Sequence, residues 1–444
     1  MSLLNPVRPA PRRQPLHPLR TETLRGFPPL AGAAVLLTMT VLLAGSADRW
    51  QGGWAETRGV LHDALLILLP LAAAAGCRQG GRDRRRRTEE LWATAVRSPL
   101  AGFLVSALPL ALWVAAGYLV AAVGALLATW PYARGDGPRL ALLPADVVAL
   151  VAAAVAGQVV GRLTAWRLAP PLLATAGYAV LGVSASVREG AGRFLNPALP
   201  VSVHEVPVGW QPVATAGWTA GLAAAAVLAY AARRRYTALL PLTAAVVAGG
   251  LLVGAGDGLW RPDPVAARQV CDTSTTPQVC VNARYGELLP QVTEALSGVT
   301  GRLRGVRNLP VRFEDRAGEP RADEAELPML TPFGRSVVRG RLTDPEQYAW
   351  EAVAALQRRA DCDTLDPRVG LADDAVENLL APSPARAHFD ALDARGDAEH
   401  RAAVRARTAA RARLAAMGED ERRTWLSAYF ATAGSCDAKG VPAL

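Results

Sequence analysis

The sequence predicts an all-α polytopic membrane domain of about seven transmembrane helices, followed by a mainly α, small α+β extracytoplasmic domain. Three observations lead there. Apolar segments long enough to cross a bilayer, which needs about 20 apolar residues per helical pass, recur as far as Trp260. Arginines gather in alternate short turns between those segments, the pattern that sets orientation across a membrane. Four of the five cysteines, Cys271, Cys280, Cys362 and Cys436, follow the last apolar segment.

The composition is uneven along the chain. Hydrophobic residues make up 51% and charged residues 20% of the 444. The charge is sparse and clustered before Arg261 and has the density of a soluble domain after it. The boundaries expected are a disordered cytoplasmic tail over 1–27, a transmembrane domain over 28–256 and an extracytoplasmic soluble domain over 257–444. The net charge of +9 comes largely from arginines in turns between apolar segments. That is a topology signal rather than a phosphate-binding groove, so no nucleic-acid partner is expected.

Taken in order, residues 1–27 are rich in Pro and Arg and carry too little apolar surface to fold. A first helix is expected over 30–44. Ala44-Gly45-Ser46-Ala47 resembles a signal-peptide cleavage site, but the long leader and the later spans favour retention. A loop with Trp50, Trp54, Glu56 and Arg58 suits a membrane interface. Further helices are expected over 60–76, 100–129, 144–161, 170–187, 212–232 and 238–254, with 188–211 an interfacial or partly re-entrant loop.

An inside N-terminus makes the turns holding Arg78 to Arg87, Arg162 with Arg167, and Arg233 to Arg235 cytoplasmic, as the positive-inside rule asks. Seven spans then place the last domain outside. An even cysteine count in such a domain reads as two disulfides with three possible pairings. Cys271 with Cys280 and Cys362 with Cys436 is preferred, since the first pair closes a short loop rich in Thr and Pro. A zinc site is the rival reading, but no CxxC spacing or paired histidine supports it. Within this domain a helix with the stripe Leu288, Leu289, Val292, Leu296, Val299 and Leu303 is expected. A short strand is expected over 309–313, and helices over 345–359, 384–394, 398–417 and 419–433; residues 315–327 read as a charged loop.

The turn after the second helix carries the most specific signal. Thr88 is followed by Glu89-Glu90-Leu91-Trp92-Ala93-Thr94-Ala95-Val96-Arg97-Ser98-Pro99. On a helix Leu91, Trp92, Ala95 and Val96 share one face, while Glu89, Glu90 and Arg97 stay wet, and Pro99 admits the next span. A surface helix that only anchors a loop would look the same. With the Pro-interrupted apolar run Leu68-Leu69-Pro70-Leu71 and the arginines ahead of it, the stretch resembles ABC-2-type transporter permeases. The resemblance covers roughly 61–120, and the other spans match by hydropathy alone. The family usually has six spans, and its common proline in the run is Ala95 here.

The resemblance implies that Glu89, Glu90, Leu91, Trp92, Val96, Arg97 and Pro99 belong to a coupling helix that docks on a separate ATP-binding cassette subunit. It implies a homodimer or heterodimer of permease subunits in the cell membrane, exporting a substrate or remodelling the membrane. This chain has no G-x-x-x-x-G-K-[ST] phosphate loop, so the energy must come from the partner.

Polar groups within the apolar segments are few. His62, Asp63, Asp146 and Gln158 are functional candidates by default, but positions near helix ends favour capping or interface roles and give proton-coupled transport little support. Gly157, Gly161, Gly177 and Gly182 permit close helix packing and are also ordinary membrane-helix composition. The outer domain has no HExxH or G-x-S-x-G, and His388 and His400 beside Asp390, Asp393 and Glu399 read as surface charges. No enzyme activity, cofactor or metal is expected. The competing reading is a membrane-anchored extracytoplasmic binding, sensor or assembly protein without transport.

Overall fold

The computed structural model describes residues 26–85, 98–133, 137–164, 166–187, 190–316, 320–321, 323–330, 336–359 and 362–444. The first part is a bundle of helices: α1 (Pro28–Gly45), α2 (Trp54–Asp63), α3 (Leu65–Gly80), α4 (Pro99–Thr129), α5 (Leu143–Leu163), α6 (Ala169–Ser186), α7 (Gln211–Ala231) and α8 (Leu239–Ala255). Prolines at the first or second position open α1, α4, α5, α6 and α7, where a missing N–H costs nothing and the fixed φ suits the helix.

Among the described residues six helical runs are long and apolar enough to cross a membrane: Pro28–Gly45, Trp54–Gly80, Pro99–Thr129, Leu143–Leu163, Gln211–Ala231 and Arg235–Leu259. The expected fifth span, α6, forms a helix of 18 residues but falls outside this set, its apolarity diluted by two prolines, Thr175, Tyr178 and two serines. It packs along α3, with Gly177 against the ring of Pro70.

The second span differs from expectation at its start. Trp54 to Asp63 is helical and almost wholly buried, although it was read partly as an interfacial loop. Several of its polar side chains find partners on other elements. Thr57 Oγ1 lies 2.7 Å from Thr129 Oγ1 on α4, and Arg58 donates to the Glu205 carbonyl at 3.0 Å. α2 and α3 form one near-continuous rod with a turn at Ala64.

α3 and α5 pack backbone to backbone. A Cβ on Gly76, Gly80, Gly157 or Gly161 would strike a main-chain carbonyl of the facing helix, at Ala154, Gln158, Ala73 and Cys77 respectively. Such closeness gives dispersion contact without a hydrophobic driving force, which apolar lipid cannot supply. Gly182 meets nothing within 4 Å and has no such role.

The helices alternate in direction. Arg78, Arg85 and Arg167 meet Phe27 at one end of the bundle, where Arg84 also donates to the Leu163 carbonyl at 3.1 Å. The end of α7 packs there too, Val227 and Ala231 lying against Phe103 and Val159. The opposite end holds Glu56, Asp146, Gln211 and Leu259 and carries the rest of the chain.

The segment between α6 and α7 contributes a strand, β1 (Glu205–Pro207), which pairs antiparallel with β2 (Trp260–Pro262) just beyond α8. A four-stranded sheet follows: β3 (Gln269–Asp272) antiparallel to β4 (Gln278–Asn282), then β5 (Arg312–Glu314) and β6 (Glu324–Glu326) in parallel. A small hairpin, β7 (Val337–Val338) with β8 (Arg341–Leu342), lies beyond it. The remaining helices are α9 (Leu289–Arg302), α10 (Pro345–Gln357), α11 (Pro367–Leu380), α12 (Arg386–Ala394), α13 (Ala398–Ala416) and α14 (Glu419–Phe430).

The stripe on α9 buries Leu288, Val292, Leu296, Val299 and Leu303 against Val281, Phe313 and Val353 in one core. Residues 315–327, read as a loop, include β6. Its strand signal is hidden because Glu324 is buried and held by the guanidiniums of Arg312 and Arg316, an inward acid that binary patterning scores as exposed. α11 was not anticipated, although the N-cap Asp366, which accepts from Arg368 N–H, and the apolar Val369, Ala372, Val376 and Leu380 mark it. Cys271 is bonded to Cys280 across β3 and β4, and Cys362 to Cys436, which ties the start of α11 to the C-terminal segment. Cys77 is free and buried.

Candidate functional site

The expected coupling residues Glu89, Glu90, Leu91, Trp92, Val96 and Arg97 lie outside the described residues. Their frame is described on both sides. α3 ends at Gly80 and a helical turn, Arg82–Arg85, follows. The chain resumes at Ser98, whose hydroxyl accepts from the Ala101 N–H and caps α4, with Pro99 as its first residue. Pro99 therefore does open the next helix.

Two separate sets of polar groups lie within the bundle. Gln158 on α5 donates to Ser106 Oγ on α4 at 2.6 Å, and Arg162 donates to the same oxygen at 2.7 Å while its guanidinium stacks 4.9 Å from the Phe103 ring. Toward the opposite end, His62 Nδ1 lies 2.9 Å from Asp146 Oδ1, and Tyr118 O–H donates to Asp146 Oδ2 at 3.1 Å. His62 Nε2 lies 3.2 Å from the Leu199 carbonyl. Both imidazole nitrogens thus face acceptors, the arrangement that a doubly protonated ring opposite a carboxylate satisfies in full. His62, Tyr118 and Asp146 are all buried. In the sequence His62 and Asp146 stand at the starts of expected helices and Gln158 within one. The structure joins the first two, gives Gln158 its own partners, and leaves Asp63 exposed.

A second buried network joins the bundle to the C-terminal domain. Tyr285 O–H donates to Glu56 Oε1 of α2. Asp263 receives Arg284 on one oxygen and Arg139 on the other, each at 2.5 Å, and is itself 1% exposed. Arg284 also donates to the Val203 carbonyl at 2.7 Å. Burial would raise the Asp263 carboxyl, but the Val265 N–H and the two guanidiniums more than offset it and hold it below the usual carboxylate range. Burial and the nearby Glu56 carboxylate push the Tyr285 phenol well above its ordinary value. A cavity of about 380 Å³, lined by Tyr132, Arg284, Tyr285, Gln291 and Arg339 among others, opens beside this joint.

In the C-terminal domain Asp315 directly follows β5 and is buried. Burial pushes its carboxyl up to about 7 despite N–H bonds from Asn282 and Leu330. Of the acids that the sequence places near His388 and His400, Asp390 and Asp393 pair with arginines. Arg407 bridges Asp390 and Asp393, and Arg411 bridges Asp390 and Asp374. His400 Nδ1 lies 2.9 Å from Asp397, the N-cap of its own helix. Among the described residues no group of three or more His, Cys, Asp or Glu side chains is placed to hold a metal ion.

Tyr118 is one residue that the sequence does not flag, since it sits inside a 31-residue apolar helix with no local polar signal; Asp263, Arg284 and Tyr285 of the joint are others. Compared with known protein-family models, with curated proteins and with solved structures, the chain matches none.

Proposed function

We propose that this chain is the membrane-spanning subunit of an ATP-driven ABC-type transporter, coupling hydrolysis by a separate ATP-binding subunit to export or membrane remodelling. Seven crossings, α6 included, with the arginine-bearing end in the cytoplasm and the cystine-bearing domain outside, complete the proposal. The observation that carries it is the α3–α5 pair. Its glycine-to-carbonyl packing joins two helices into one rigid body. That body begins at the arginine-rich turn and ends at His62 and Asp146, one layer below the outer joint. A push on the inner turn would move this body as a unit, which is how a packed pair passes displacement between two discrete arrangements. The chain leaves that lever at Arg85 and returns at Ser98, and the docking segment proposed over 88–100 belongs to the connection between them.

The test is co-purification of the chain with an ATP-binding protein from its own cells. Leu91→Arg or Trp92→Arg puts a charge on the docking face and is expected to lose most of that partner. Full retention by both variants contradicts the proposal. The second reading, a membrane-anchored outer binding or assembly module, draws on the buried joint of Glu56, Tyr285, Asp263 and Arg284, which fixes the outer domain to its anchor. It expects no ATPase to associate.

A further inference from the structure

The arginine-bearing end of the bundle contains a cleft of about 450 Å³ lined by Phe27, Arg78, Arg85, Arg167, Pro170 and Pro171. Its three cations come from separate parts of the chain: the last turn of α3, the turn after it, and the connection into α6. None of the described residues lining the cleft is acidic. Two of the three side chains are held in place rather than left to wave in solvent. The Arg78 guanidinium stacks on the Phe27 ring at 5.2 Å, and Arg85 donates to the Arg78 carbonyl. Pro170 and Pro171 wall the cleft with rings that bring no N–H of their own.

Gathering like charges costs energy that an anion would return. The side chains beside the cleft say what else the anion carries. Leu163, Trp166, Leu168 and Leu172, which flank Arg167 in the chain, are 61%, 57%, 54% and 48% exposed. A free phosphate has no use for that surface, whereas a phospholipid covers it with its acyl chains. Basic pockets between membrane helices on the cytoplasmic side suit anionic head groups, and interfacial Trp sits at head-group depth.

We infer that this cleft binds the phosphate of an anionic phospholipid, with Arg78, Arg85 and Arg167 on the head group and the acyl chains along Leu168 and Leu172. The inference needs the bundle to be embedded in a membrane and is independent of whether an ATPase partner exists.

The full-length protein in neutral detergent is delipidated, and native mass spectrometry is used to follow added phosphatidylglycerol, phosphatidylcholine and glycerol phosphate. One phosphatidylglycerol per chain is expected to bind about tenfold or more tightly than phosphatidylcholine, with no displacement by millimolar glycerol phosphate. The double variant Arg78→Gln/Arg167→Gln is expected to abolish this preference. Arg78→Lys, which keeps the charge but loses the planar fork, is expected to weaken it and to report on folding. Arg233→Gln/Arg235→Gln, at the end of α7, is expected to retain it. Equal binding of the two lipids overturns the inference, as does a preference that survives Arg78→Gln/Arg167→Gln. Equal loss in Arg233→Gln/Arg235→Gln overturns it as well, and so does glycerol phosphate occupying the site in place of lipid.

Discussion

His62 and Asp146 lie 84 positions apart in the chain and 2.9 Å apart in the fold. Removing one member of a buried ion pair strands the other, at a cost of about 3–5 kcal/mol. Asp146→Ala is therefore expected to lower the thermal midpoint in detergent sharply, and His62→Ala/Asp146→Ala to be less damaging than the sum of the single changes; additive losses would show that the two do not act as a pair. Asp315 gives a pH signature. Its folded value of about 7 lies above the ordinary one, so the folded state holds a proton that the unfolded chain releases. Its contribution is intact below about pH 4 and is lost as pH rises towards 7. Asp315→Asn is expected to stabilise the protein by a few kcal/mol at pH 8 and by little at pH 4, read from thermal midpoints; equal effects at both values refute the assignment. At this scale the sequence showed which polar residues mattered and hid who meets whom. His62 and Asp146 stand out against apolar neighbours, but Tyr118 looks like any aromatic in a 31-residue apolar run.

Among elements, the helices of the bundle were legible to within a residue or two wherever a proline opened them, as at Pro28, Pro99 and Pro170. The second span starts six residues earlier than expected, since Glu56, Thr57 and Arg58 bond to other elements of the protein. The strands were the poorest part. At two to five residues each they offer no period to count, and β6 places a salt-bridged Glu324 inward. Glycines look alike in sequence, but their neighbours separate them. Gly157→Val drives a branched side chain into the Ala73 carbonyl and is expected to abolish well-folded protein on size exclusion, whereas Gly182→Ala is expected to be neutral. Equal behaviour of the two would remove the rigid α3–α5 body from the account. The disulfides grade in the same way. Cys362 and Cys436 are 74 positions apart and Cys271 and Cys280 are 9 apart. Loop closure then predicts losses of about 4 and about 2.5 kcal/mol for Cys362→Ser and Cys271→Ser, in that order of severity on thermal unfolding.

Across the whole molecule, charge and cysteine divide it into two ends. Arg78, Arg84, Arg85, Arg162 and Arg167 gather at one end of the bundle, and both cystines lie in the domain at the other. This division was readable from the sequence because it rests on composition summed over long stretches, which local errors do not disturb. The joint between the halves was not, because Glu56 and Tyr285 are 229 positions apart and neither belongs to a motif. The central claim is that the two ends lie on opposite sides of a membrane. Single reporter cysteines at exposed sites, Ala387→Cys on α12 and Thr237→Cys between α7 and α8, placed in a Cys77→Ser background, test it most directly. With a membrane-impermeant maleimide on intact cells, Ala387→Cys is expected to label at once and Thr237→Cys only after permeabilisation. Labelling of both from outside, or of Thr237→Cys alone, would contradict the account.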